Sequence, residues 1–153
     1  MKRIYAFLII MLISFLSIFS CDKNNTDSDS SYYSDAVKSA LKVLSGSFIY
    51  TISVGDWSNT TTITFLEQYN PPKKGTLGDG TELIVHGKYR IVYDAGETFE
   101  EYYNLSENAD RIYSYFSLNG TNSIQRKDFR VVDDNTFQLK EVNSVIWNTY
   151  KRK

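Results

Sequence analysis

From Gly46 onward the apolar residues of this chain recur at every second position. Phe48, Tyr50, Ile52 and Val54 alternate with smaller or polar neighbours, a period that sends successive side chains to opposite faces and marks a strand with one buried face. The pattern then repeats along the chain. Ile63 and Phe65 share a face over 60–68, and Leu83, Val85, Tyr89, Ile91 and Tyr93 do so over 81–94, where Gly87 marks a bulge or break. Further strands are expected at 98–104, 111–118, 121–132, 136–142 and 145–151. Turn chemistry separates them at Gly55-Asp56, Asp94-Ala95-Gly96-Glu97, Asn119-Gly120 and Asp133-Asp134-Asn135, with Asn-Gly the strongest short hairpin signal. Residues 69–80 hold Pro71, Pro72, Gly75, Gly78 and Gly80, and such a composition predicts a long loop, because proline cannot donate to a ladder.

The fold class follows from that count: mostly β, an antiparallel meander of about eight strands. Closure into a barrel removes the exposed edges such a sheet would present. A barrel of eight strands is just wide enough to be filled by side chains or to hold one small ligand. Ahead of the strands the period changes to that of a helix. Ala36, Val37, Ala40, Leu41 and Leu44 fall on one stripe, Ser34 and Asp35 suit the N-terminal end, and Gly46 can end it. One short N-terminal helix is predicted there.

The first residues tell a different story. Lys2 and Arg3 precede an apolar run over 4–19, too short and too abruptly followed by polar residues to span a membrane comfortably. It reads as the core of a signal peptide. The run ends Ser17-Ile18-Phe19-Ser20-Cys21, which resembles the lipobox of bacterial lipoproteins, although Ile18 and Phe19 stand where the commonest pattern has Leu and a small residue. The resemblance implies cleavage before Cys21 and lipidation of its thiol, with palmitate-type chains as the membrane anchor. Several chains, at about 0.8 kcal/mol per buried methylene, would hold stably. Cys21 is the only cysteine, so an internal disulfide is excluded. A plain signal anchor carrying a chance cysteine is the alternative.

The expected organisation is therefore a signal peptide over 1–20, a flexible polar tether over 21–33 and a β-barrel domain over 34–153. Removing the first 20 of 153 residues leaves 133, the size of one domain. The expected location is the bacterial cell envelope, at the outer membrane or cell surface rather than the inner membrane; acidic residues soon after the cysteine resemble surface-export signals. The spacer role alone accounts for them equally well.

A leader helix, Gly46-Ser47-Phe48 opening the first strand and a meander ending near Trp147 resemble the lipocalin-like domains of bacterial lipoproteins. The resemblance covers roughly 34–153. Lipocalins usually open the first strand with Gly-x-Trp; here Phe48 takes that place, and Gly55-Asp56-Trp57 has the letters but falls in a turn. The resemblance implies a cup for an apolar or amphipathic small molecule.

Charge and chemistry narrow the classes. Of 17 basic residues two leave with the signal peptide, against 18 acidic ones that stay, a mature net charge of about −3 with no basic stripe, which excludes nucleic acid as the expected partner. His86 is the only histidine and Cys21 is committed to lipid, so no metal, cofactor or catalytic residue is expected, and His86 reads as a strand-end cap. Glu97, Glu100, Glu101, Asp133 and Asp134 read as turn and surface residues. The aromatics remain. Tyr50, Phe65, Tyr89, Tyr93, Phe99, Tyr103, Phe116 and Trp147 are the candidate ligand-binding residues, with packing of a filled core the competing account. Tyr102, Tyr103, Tyr113 and Tyr115 place rings on both faces, as an outer contact patch or as cross-strand pairs. Two functions stand side by side: a ligand-binding lipocalin-like module, and a structural or protein-interaction lipoprotein with a filled barrel. An inhibitor that inserts residues 69–80 belongs to the second.

Overall fold

The computed structural model describes residues 32–121 and 124–153. Cys21, the expected signal peptide and most of the expected tether lie outside them. Among the described residues the chain forms one helix, α1 (Asp35–Val43), and nine strands: β1 (Gly46–Val54), β2 (Trp57–Leu77), β3 (Glu82–Tyr93), β4 (Thr98–Leu105), β5 (Arg111–Tyr115), β6 (Asn119–Thr121), β7 (Gln125–Asp133), β8 (Thr136–Glu141) and β9 (Asn148–Arg152).

Ser34 caps α1, its side-chain oxygen accepting from the Val37 N–H at 3.2 Å. Val37, Ala40, Leu41, Val43 and Leu44 are buried. The carbonyls that a helix leaves unpaired at its C-terminal end need outside donors. Gln68 Nε2 supplies two, to Leu41 O at 2.6 Å and Leu44 O at 2.8 Å, and Arg152 donates to Val43 O at 3.0 Å and to Ser45 O. Strand and helix are thus stitched at one end of the barrel.

Eight strands close antiparallel in chain order. β1 meets β2 over nine register pairs, from Gly46↔Phe65 to Val54↔Trp57, through the Gly55-Asp56 turn with Gly55 at φ +60°. β2 pairs β3, β3 pairs β4, β4 pairs β5, β5 pairs β7, β7 pairs β8 and β8 pairs β9. The seam between β9 and β1, Phe48↔Arg152 and Ile49↔Lys151, completes the ring. This closed eight-stranded antiparallel barrel is the architecture a lipocalin-like domain has. Inside it, rings of Phe48, Phe65 and Phe137 meet edge to face, and Phe137 stacks on Tyr150 at 5.0 Å, arrangements that suit the ring quadrupoles.

Two expectations need correction. Residues 69–80 are not a long loop: β2 runs on to Leu77, and residues 73–76 pair again with β3 after a register break between Gln68 and Lys73. The prolines fall inside that break, where no ladder donor is required. Opposite it, β3 stays continuous through Gly87, where a Cβ would come within 2.2 Å of Glu67 O and 2.7 Å of the Tyr103 ring. Asn119-Gly120 is not a hairpin turn: β5 ends at Tyr115, and β6 pairs parallel with β2 through Thr76↔Asn119. Gly75 permits this, because a Cβ there would lie 2.6 Å from Leu118 O.

The prolonged β2–β3 arm has a packing role. Tyr102, Tyr113 and Tyr115 face away from the barrel interior, since Tyr103, Ile112 and Ser114 take the alternate, inward positions. They do not project as a patch: Tyr102 and Tyr115 are register partners across β4 and β5, the cross-strand pairing expected as the alternative. Tyr69, Leu77, Leu83 and Val85 of the arm cover them in a second apolar cluster, joined by Leu118. Contact with the barrel also begins before Ser34: Tyr33 donates to Tyr69 O and sets its ring edge against His86 at 5.0 Å.

Candidate functional site

The barrel interior is not completely filled. Inward-facing residues from seven strands leave a cavity of about 190 Å³, a little larger than the roughly 150 Å³ apolar cavity that accepts benzene and below the ~300 Å³ where drug-sized sites begin. Its apolar wall is built from Ile63, Phe65, Ile91, Ile112, Phe137 and Leu139. Polar groups join it towards the end remote from α1: Thr61, Tyr50, Tyr93, Lys127, Glu141 and Asn148. That end is set by register, since Gly46 lies beside the helix and Tyr50 and Thr61 stand further along the paired strands.

Of the eight aromatic candidates, Tyr50, Phe65, Tyr89 and Tyr93 line this cavity. Tyr103 is wholly buried behind it, 5.5 Å from the Phe65 ring, and among the described residues its hydroxyl has no hydrogen-bond partner. Phe99 meets Tyr93 edge to face at 6.1 Å and is 41% exposed at the rim. Phe116 and Trp147 lie elsewhere. Phe116 is beyond the end of β5 and 51% exposed. Trp147 sits on the outer wall, under Arg130 at 4.2 Å and Lys140 at 5.2 Å, a cation–π arrangement.

The rings missed by sequence reasoning are Phe137 and Tyr150, and the polar members missed are Lys127, Glu141, Asn148 and Thr61. Alternation carried the signal: Lys127 shares parity with buried Phe129, and Glu141 with buried Phe137 and Leu139. A charged residue on an inward position near a strand end marks a lined opening. Lys127 and Glu141 are cross-strand partners, with Nζ 2.9 Å from Oε1.

Two of the expected surface or strand-end groups lie inside. Glu101 is 4% exposed because it shares its face of β4 with Tyr103 and Leu105, and it accepts the Tyr89 hydroxyl proton donor at 2.6 Å. Burial, with Glu101 alongside, pushes the Tyr89 hydroxyl well above the usual range, so that it remains a donor. Its neighbour Glu100 faces outward and binds Lys88 and, at 2.6 Å, Arg90. His86 is within β3 rather than at a strand end. Its Nδ1 accepts from the Leu105 N–H at 3.1 Å, where the β3–β4 ladder has already ended at Gly87↔Tyr103. Burial pushes its pKa down to about 4, so the ring is neutral. Asp133 takes the turn role expected of it, accepting from the Asn135 N–H at 2.8 Å. Among the described residues no three His, Cys, Asp or Glu gather as metal ligands would.

No protein-family model, curated protein or solved structure matches the chain.

Proposed function

We propose that this chain is a lipid-anchored envelope protein whose barrel holds a small apolar or amphipathic ligand. The observation that carries the reading is the cavity itself, in the place where a filled barrel would have side chains. Its wall is largely apolar and aromatic, with a few convergent polar groups, the usual make-up of a small-molecule site. Anchoring rests on the sequence around Cys21.

The test is extraction. The Cys21→Ser protein, purified from its own host and examined by native mass spectrometry, should carry a stoichiometric small molecule that organic solvent removes. A protein of apo mass from the host, unable to take up any molecule of single-ring size, would sink the ligand reading. Mass spectrometry of the N-terminal peptide decides the anchor: diacylglyceryl and acyl mass on Cys21 is expected, and an unmodified thiol would remove it.

A protein-contact role has one observation in its favour. Val54, Trp57, Val145 and Ile146 are exposed at the barrel end away from α1, with Val145 93% exposed. Inhibition by insertion of residues 69–80 has no such support, because Tyr69 and Leu77 are packed onto the barrel wall.

A further inference from the structure

The polar end of the cavity is unevenly matched. Lys127 is the one cation among the described residues that line it. Its side chain is 27% exposed, against 60% for its partner Glu141. Lys127 is therefore the less exposed side chain of the pair, and Glu141 the one with more room to turn into water. Donors gather round the same space. Tyr50, Tyr93 and Tyr150 line it together with the Asn148 amide. Burial, then the neighbouring Tyr93, Tyr50 and Glu141, hold the Tyr150 hydroxyl well above its ordinary pKa, so it stays protonated.

Each ligand charge meets this pair differently. A carboxylate can take the place of Glu141 on Lys127, so that the ammonium keeps a counter-charge. An ammonium would have to share or draw away Glu141, placing two like charges beside one carboxylate. A neutral amide can accept from Lys127 but brings no counter-charge. Size sets the other limit: about 190 Å³ is room for roughly six waters at ~30 Å³ each, enough for one ring and a short side arm but not for an enclosed long acyl chain.

On the ligand-binding reading above, we infer that the cup takes a small carboxylic acid of single-ring size, its carboxylate on Lys127 in exchange for Glu141 and its apolar body against Phe65 and Phe137. Lys127 is the specificity-determining residue. Glu141 is the resident stand-in for the ligand's carboxylate.

Calorimetric titration of the full chain in detergent with 3-phenylpropanoate, 3-phenylpropanamide and 2-phenylethylamine tests this. The acid should bind at least about tenfold more tightly than the amide, in line with the strength of charge-assisted hydrogen bonds. Lys127→Met should abolish that preference while leaving amide binding in place. Glu141→Gln should tighten acid binding by about threefold or more, a gain that damage to the fold would not produce. Equal affinity for acid and amide, tightest binding of the amine, or no gain in Glu141→Gln would overturn the inference and leave the ligand-binding cup standing. Failure of all three probes to bind the unaltered chain, with the NMR signals of Tyr89 and Phe137 unmoved, would overturn both.

Discussion

The guanidinium of Arg152 lies 4.7 Å above the ring of Phe48, and the two residues are register partners across the β9–β1 seam. Arg152 also donates to the carbonyls of Val43, Ser45 and Asp134 and to Asn135 Oδ1. One side chain therefore ties together the helix end, the seam and the β7–β8 turn. Phe48 supplies the ring face that the cation covers.

Arg152→Met should destabilise the barrel by about 2 kcal/mol or more, because hydrogen bonds to a charged group are worth roughly 1.5–3 kcal/mol and the helix carbonyls lose their donor. Arg152→Lys should recover less than half, since an ammonium lacks the planar fork. Urea midpoints followed by circular dichroism measure both.

Gly87→Ala should cost about 2–4 kcal/mol. The added Cβ would meet Glu67 O at 2.2 Å and the Tyr103 ring at 2.7 Å, and backbone cannot yield as a flexible side chain can. At this chain length the thermal midpoint should fall by about 10 °C. Gly55→Ala, with open space around the new methyl but φ at +60°, should lose only about 1 kcal/mol.

His86 makes stability depend on pH in a defined window. Its folded pKa is depressed from 6.5 to about 4, so the unfolded chain binds a proton that the folded chain refuses. Stability from this group is complete above about pH 6.5 and is lost as pH falls towards 4, by up to about 3 kcal/mol. Glu100 and Asp128, held low by their ion-pair partners, add losses that begin as pH falls through their ordinary values of 4.5 and 3.8, at the acid end of that window. Comparing urea midpoints from pH 7 to 4, the chain with His86→Gln should show a flatter slope than the unaltered one; parallel slopes would refute the assignment.

Tyr89→Phe removes the donor from a carboxyl group that is almost wholly buried. A loss of about 1–3 kcal/mol is expected, the cost of leaving a buried acceptor unsatisfied. Adding Glu101→Gln to Tyr89→Phe should restore part of it, because the amide is neutral. A double-mutant cycle with a coupling below about 0.5 kcal/mol would show that the 2.6 Å contact contributes little.

Much of the barrel was legible because each wall strand buries one face, and alternation reports one-sided burial directly. The helix was legible from Ser34, the apolar stripe and Gly46. What misled were strong local signals overruled by distant partners. Pro71 and Pro72 read as loop, but Leu83 and Val85 supply the strand against which 73–76 resume pairing. Asn119-Gly120 read as hairpin, but Gly75 gives Leu118 the space to approach β2, where Thr76 N donates to its carbonyl at 2.8 Å. The cavity was half legible. Tyr50, Phe65, Tyr89 and Tyr93 follow from parity, whereas Phe116 lies past the end of its strand and Trp147 has outward parity next to lining Asn148. Lys127 and Glu141 were overlooked because charge alone suggests a solvated face.

The seam that Arg152 guards is short: two register pairs join β9 to β1, where nine join β1 to β2. Its partners are also about a hundred residues apart in the chain, so the loop entropy of closing it is met late, after the local hairpins have formed. Until β9 arrives, β1 and β8 are open edges able to recruit foreign strands. After closure the same seam is the least-secured staircase of hydrogen bonds in the ring, and amides of β9 and the facing part of β1 should exchange with solvent sooner than those of the β1–β2 hairpin. A barrel held this way opens along one line, beside Tyr50 and Tyr150 on the cavity wall.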